Sequence, residues 1–452
     1  MCNLIQKYNV PGPRYTSYPT VPYWNLEGFS GRLWKSTVNR VFHEKKEEGI
    51  SVYVHLPFCE RMCTFCGCHK RITKRHDVEL PYIKSVLKEW QMYVKLLGEK
   101  PKIKELHLGG GTPTFFSPEN LSFLVTGILQ NASITTNPEF SFEGHPNNTT
   151  KEHLKALFNV GFKRVCFGVQ DYNATVQKAI NRIQPFAHVR QVTEWAREIG
   201  YTSVGHDIIY GLPFQQLRDV ERTVLMTQAL RPDRIAFYSY AHVPWIKGNG
   251  QRGYRDEDIP SGIEKRTQYG TGKKMLEGFN YKNVGMDHFA LPNDTLYRAL
   301  VQGKLHRNFM GYTPSSTRLL IGLGASSISD SWYGFAQNVK NIEEYQNLTA
   351  NDILPIFRGH ILTQEDKLIR KHILELMCQF ETILNPKTKK LGAFQHIKEN
   401  LIEMESDGLI LCEGDHLKVT SKGKPYIRNI CMSFDLKLYR KKPETPLFSM
   451  TV

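Results

Sequence analysis

His55-Leu56-Pro57-Phe58-Cys59-Glu60-Arg61-Met62-Cys63-Thr64-Phe65-Cys66-Gly67-Cys68 decides how this chain is read. Four thiols fall within ten residues, directly after the apolar run Val52-Tyr53-Val54. A strand that opens into a cysteine-rich loop is a place to hold a metal. Thiolates bind soft metals and iron–sulfur clusters. A four-cysteine zinc site uses two separated pairs, and no second pair stands near this one. Cys59, Cys63 and Cys66 are spaced x3 then x2. Three such thiolates suit three corners of a cubic [4Fe–4S] cluster and leave one iron open. A disulfide pair, a zinc knuckle and free thiols are the alternatives.

The chain has 452 residues, 40% of them apolar and 23% charged, which is enough for a large core and two domains. No apolar run approaches a membrane span, and Met1 to Lys7 lacks a signal-peptide core, so a cytoplasmic protein is expected. Cys2, Cys166, Cys378, Cys412 and Cys431 are scattered and odd in number, which reads as buried small hydrophobes. The net charge of +15 suits nucleic acid, a membrane surface or an anionic small substrate. No run of five Lys/Arg appears, so an extended basic arm is absent.

From residue 51 short β-branched runs alternate with amphipathic ones. Strands are expected at Ser51–Leu56, Ile103–Leu108, Glu139–Glu143, Arg164–Gly168, Ser203–Ile209 and Arg234–Tyr238. Helices are expected near 78–98, 117–130, 149–160, 173–182, 187–199 and 215–230; Leu80, Ile83, Val86, Leu87 and Trp90 carry the first period. Six such units make a parallel sheet, fewer than the eight of a closed barrel, so an open, partial (β/α)6 barrel is predicted. Residues 1–48 read as an arm in which Pro11, Pro13 and Pro19 forbid a helix. Residues 49–348 make the barrel and its extension, with loops of strand character at 305–312 and 321–328. Residues 349–452 read as a mainly helical C-terminal domain. There, helices at Leu368–Phe380 and Phe394–Ser406 precede a hairpin at 409–419, which resembles a winged helix. A packing module is the favoured reading of it over a DNA-binding one.

Polar and glycine clusters stand where these strands should end. They are Gly109-Gly110-Gly111-Thr112, Glu143, Gln170-Asp171, Asp207 and Tyr240-Ala241-His242. Each alone is more often structural than functional, but their recurrence at one end of successive strands is what a barrel-mouth site requires.

The cysteine stretch resembles the signature of the radical S-adenosylmethionine (SAM) enzymes. The added Gly67-Cys68 narrows the likeness to the oxygen-independent coproporphyrinogen III oxidases, or coproporphyrinogen dehydrogenases. It runs from Tyr8-Asn9-Val10-Pro11-Gly12-Pro13-Arg14-Tyr15-Thr16-Ser17-Tyr18-Pro19-Thr20 to Arg428-Asn429-Ile430-Cys431-Met432. The resemblance implies a three-quarter barrel, a [4Fe–4S] cluster on Cys59, Cys63 and Cys66, and two molecules of SAM. Tyr53, Gly110, Glu143 and Ile328 match contacts to the first. Phe65, Gly111, Thr112, Gln170, Arg182, Asp207 and Ala241 match contacts to the second. Glu143, Cys68 and Phe309 are the candidate catalytic residues, Cys68 not being a cluster ligand, and His55 matches a histidine beside the cluster. The implied reaction is oxidative decarboxylation of two propionates of coproporphyrinogen III to vinyls in haem biosynthesis. The implied partners are that substrate and a low-potential electron donor of flavodoxin or ferredoxin type. A monomer is expected, with neither nucleic acid nor membrane as partner. Two positions depart from the family pattern: Gly144-His145-Pro146 stands where Asp-Pro is common, and Met310 replaces a Gln after Phe309. A haem-binding chaperone, a haem-opening methyltransferase of the same superfamily and a zinc-stabilised nucleic-acid binder are the competing readings. Cys68 argues against the chaperone.

Overall fold

The computed structural model describes residues 2–246 and 250–451. Six parallel strands run in sequence order across one sheet: β1 (Ile50–Leu56), β2 (Lys102–Gly110), β3 (Ser133–Gly144), β4 (Arg164–Gln170), β5 (Ser203–Tyr210) and β6 (Arg234–Ser239). Each expected strand is present, longer by a residue or more at an end. The intervening helices are Glu79–Leu97, Pro118–Leu129, Lys151–Asn159, Ala174–Ala179, Phe186–Ile199 and Leu217–Leu230. Their ends follow local chemistry. Ser117 caps Asn120 N–H ahead of Pro118, and Gly98 closes the first helix in the left-handed conformation. The buried face of Glu79–Leu97 is carried by Tyr82, Ile83, Val86, Trp90 and Tyr93; Leu80, which shares the sequence period, points to solvent.

The sheet does not close. Beyond β6 it continues through His288–Ala290 to an edge at Lys282–Asn283. On the other side, β7 (Leu320–Leu323) lies parallel to β1, followed by antiparallel β8 (Ile328–Asp330), β9 (Gly334–Asn338) and β10 (Ile356–Ile361). The stretches expected as loops at 305–312 and 321–328 therefore supply β7, β8 and a hairpin, His306–Asn308 with Gly311–Thr313. A 17-residue helix, Gly262–Gly278, also lies in the extension without having been expected.

The prolines govern only part of the arm. Residues 9–20 are non-helical, but Cys2–Tyr8 and Gly31–Glu44 are helices. Ser30 caps the second, which sends Trp34, Val38, Val41 and Phe42 into the barrel core. The first segment packs elsewhere: Tyr8, Tyr15 and Tyr18 share a core with the C-terminal helices Gln364–Gln379 and Ile427–Met432. The hairpin is Ile410–Glu413 with His416–Val419, and Glu381–Ile383 adds a third strand. Of the scattered cysteines, Cys378 and Cys431 are buried as expected, Cys166 is partly exposed, and Cys412 is exposed because it stands on that hairpin's outer strand. Among the described residues no helix is long and apolar enough to cross a membrane.

Trp34 is fully buried, and its indole N–H donates to Tyr93 Oη at 3.2 Å. Trp34→Ala is expected to cost roughly 3–5 kcal/mol, read as a lower urea midpoint. An unchanged midpoint would remove the arm helix from the core.

Candidate active site

The carboxyl end of β1 delivers Tyr53 and His55 and runs directly into the cysteine loop. That loop is pinched at its base: Phe58–Cys59 pairs with Arg71–Ile72, with Arg71 N–H bonded to the Pro57 carbonyl at 2.8 Å and Thr73 N–H to that of Cys59 at 2.9 Å. Its crest is tied to the helix end after β4. Thr64 donates to the carbonyls of Ile180 (3.0 Å) and Ala179 (2.9 Å), and Asn181 donates to that of Met62 (2.7 Å). Held at both places, Cys59, Cys63 and Cys66 face one cavity of about 250 Å³, walled also by Phe65, Gly111, Thr112 and Arg182.

All three thiols are free, as is Cys68. Burial pushes the Cys59 thiol up to about 11, and Thr112 Oγ1 lies 3.3 Å from its sulfur. A hydrogen bond with Cys68 holds Cys66 down at about 6 and pushes Cys68 up. Cys68 is exposed and lies outside the cavity wall. Arg182 lines the same cavity. It donates to the Gly168 carbonyl at 2.6 Å, places Nη1 3.7 Å from Cys63 Sγ, and keeps a buried Nε without a partner.

The glycine segment that ends β2, Gly109–Gly111, borders this cavity through Gly111 and reaches the lining of a second one through Glu143. Gly110 has φ +114°, and a Cβ there would stand 2.7 Å from His55 Nδ1; at Gly111 it would stand 2.7 Å from the Pro57 backbone. Glycine is thus required for the backbone to pass between β1 and the thiols. Gly110 N–H donates to Glu143 Oε2 at 3.3 Å, and Glu143 Oε1 lies 3.5 Å from His107 Nε2. Glu143 and Asp207 line the second cavity, about 90 Å³ inside the barrel, with Arg164, Cys166, Tyr238 and Met310. Burial raises Asp207 to about 6, and the Cys166 thiol donates to its Oδ1 at 3.1 Å. His55 is held neutral: burial lowers it to about 4. Its Nε2–H donates to the His69 carbonyl at 3.0 Å, leaving Nδ1 to accept from Tyr53 Oη at 3.1 Å.

The remaining candidates divide. Gln170 is buried at φ +67°, beside Gly168 and Arg182. The Ala241 carbonyl accepts from Gln251 at 2.8 Å, and the same amide donates to the Phe65 carbonyl at 3.3 Å. Phe309 and Ile328 do not line either cavity. They pack instead with Trp24 and Phe335, the Phe309 ring meeting both edge-on at 6.4 and 5.8 Å. Sequence reasoning passed over Arg164 and Cys166 as lining groups, although Arg164-Val165-Cys166-Phe167-Gly168 alternates toward the interior at period two. His145, noted only as a departure from a pattern, lines the thiol cavity, and burial keeps its ring neutral.

The sequence model of the radical SAM superfamily matches residues 53–227. Oxygen-independent coproporphyrinogen III oxidase of Synechocystis sp. is 37% identical, over 99% of this chain and 97% of its own. The Helicobacter pylori enzyme of that name is 36% identical, over 96% of each chain. The solved structure of coproporphyrinogen III oxidase from Escherichia coli, described as a radical SAM enzyme, superposes with a TM-score of 0.87 at 34% identity, covering 96% of this chain and 98% of that one. The chain belongs to the oxygen-independent coproporphyrinogen III oxidase family.

The cofactors of radical SAM enzymes are a [4Fe–4S] cluster and SAM, and the residues present fit them. Among the described residues no three Cys, His, Asp or Glu side chains are arranged to hold a single ion. A cubic cluster asks for something else, one thiolate per iron corner, spread around a cavity. The three thiols supply that, and Arg182 Nε offers a buried donor still lacking an acceptor.

Gly110→Ala places a side chain at positive φ against His55. A loss of roughly 1–3 kcal/mol is expected, seen as a lower midpoint in urea. Unchanged stability would show that the glycine segment yields freely.

Proposed function

We propose that this chain catalyses the oxidative decarboxylation of two propionate side chains of coproporphyrinogen III to vinyl groups, giving protoporphyrinogen IX. The observation that carries the proposal is the three-thiol cavity at the mouth of a barrel that matches one family over nearly its whole length. When bound at Cys59, Cys63 and Cys66, the cluster would supply one-electron reduction of the SAM sulfonium and so radical hydrogen abstraction; the propionate would lose a hydrogen from the carbon attached to the ring, β to its carboxylate, with carbon dioxide and one further electron leaving as the vinyl forms.

The protein's part is to bind, orient and exclude. Cys59, Cys63 and Cys66 hold three irons, and Glu143 accepts from the amino group of the first SAM, whose other contacts are Tyr53, Gly110 and Ile328. Two SAM molecules are bound in our proposal, the second by Phe65, Gly111, Thr112, Gln170, Arg182, Asp207 and Ala241. Arg182 suits its carboxylate and Asp207 its ribose diol. Cys68 acts on the substrate side; the resemblance gives Phe309 the same role, although its ring packs against Trp24 and Phe335 outside both cavities. His55, neutral and tied at both ring nitrogens, keeps the strand end rigid beside the cluster. The proposed setting is a monomer in the cytoplasm, reduced by a flavodoxin- or ferredoxin-type donor. We also propose a division near residues 48 and 348 into an arm, a catalytic barrel with its extension, and a C-terminal packing module.

Anaerobic incubation of the reconstituted protein with SAM, dithionite and coproporphyrinogen III is expected to give divinyl product and carbon dioxide. Stable haem binding without turnover would favour the chaperone instead, and a methylated, opened tetrapyrrole the methyltransferase. Cys63→Ser should lose iron and sulfide after reconstitution. Cys68→Ser should keep both and lose turnover; loss of its iron would make Cys68 a ligand.

A further inference from the structure

A third cavity lies where the arm, the barrel rim and the C-terminal segment meet. It is small, about 40 Å³. Among the described residues its charged walls are Arg14, Lys265, Arg266 and Arg428 against one carboxylate, Asp287. That carboxylate is already engaged by His288 Nδ1 at 2.6 Å and by Arg14 at 3.7 Å. Arg428 does not find an anion: its donors go to the backbone carbonyls of Gly12, Pro13, Ser449 and Met450. Arg266 lies over the Tyr426 ring at 4.5 Å and keeps two buried groups, Nε and Nη2, without hydrogen-bond partners. Buried donors without acceptors are costly and rare, so these two call for an acceptor that the surrounding side chains and backbone do not supply.

The geometry points to a carboxylate site here, which takes one propionate of the tetrapyrrole substrate. Arg266, one of the walls, carries in Nε and Nη2 the two-donor fork that matches a carboxylate. One water requires about 10–15 Å³, so the space holds a carboxylate and not a macrocycle. The ring then lies outside, toward the mouth, because Tyr210 and Ser239 in this cavity's wall end β5 and β6. The crowding of positive charge agrees with this. Burial, then Arg14 and Arg428, lowers Lys265 to about 7, and burial, then Arg14, lowers Arg428 to about 9. The site also gives the arm a purpose. Arg14 donates to the Ser239 carbonyl at 2.7 Å, so the proline-rich segment is fastened to the rim it helps to wall.

The inference rests on the proposed function, and the experiment separates the two. The protein is titrated anaerobically, without SAM, with coproporphyrin III and with its tetramethyl ester, binding being read by quenching of tryptophan fluorescence. The wild type is expected to prefer the acid. Arg266→Gln should weaken the acid about tenfold or more, as for a hydrogen bond to a charged group worth ~1.5–3 kcal/mol, with the ester unchanged. Arg266→Lys should recover part of the loss. Unchanged affinity in Arg266→Gln, an equal loss for acid and ester, or weakening confined to a separate SAM titration would each overturn the site. In those cases a wild type that still turns over coproporphyrinogen III leaves the function standing. A wild type that neither binds the porphyrin nor turns over the substrate removes both.

Discussion

The parallel pairing of β1 on both of its edges is the constraint on which the site depends. Tyr53 lies opposite His107 of β2 on one side and opposite Gly322 of β7 on the other. A strand gripped that way has its carboxyl end fixed in place. The thiol loop begins at that end, so its position follows from backbone hydrogen bonds and not from the loop itself. The glycine segment after β2 is the necessary neighbour. It must pass within contact of His55 and Pro57, and only residues without a Cβ allow that.

Charge is partitioned just as closely. The barrel interior keeps Asp207, Glu143, His107 and Arg164 around one chamber, while the thiol cavity carries Arg182 beside Cys63. Polar groups inside a barrel are costly unless paired or awaiting a ligand. The glycine segment touches both spaces, Gly110 being hydrogen-bonded to Glu143 and Gly111 lining the thiol cavity. Leaving the sheet open suits a substrate much larger than SAM, and the arm and C-terminal segment cover part of the rim.

Strands and helices were legible wherever one face was apolar at a regular period, which is why all six parallel strands and the helices after the first five were found. Gly262–Gly278 escaped because its buried face includes Lys265, Gln268 and Gly272 beside Tyr269 and Leu276, and so shows no apolar stripe. Gly31–Glu44 escaped because the prolines nearby set the expectation for the whole arm, although proline restrains only itself and its neighbours. The strands at 306–338 escaped because they are three to five residues long, and Leu320–Leu323 finds its parallel partner β1 far along the chain.

By itself the sequence determined the chemistry of the thiol loop, the number of parallel strands and the order of the mouth residues. These are local matters of spacing and period. Only the tertiary structure decided which mouth residues share a cavity. It set Arg182 beside Cys63, put Asp207 in a separate chamber, and packed Phe309 and Ile328 under Trp24. It also gathered Arg14, Arg266 and Arg428 around one small space. Those groupings depend on how far strands twist and where distant segments dock, and no spacing along a chain encodes such distances.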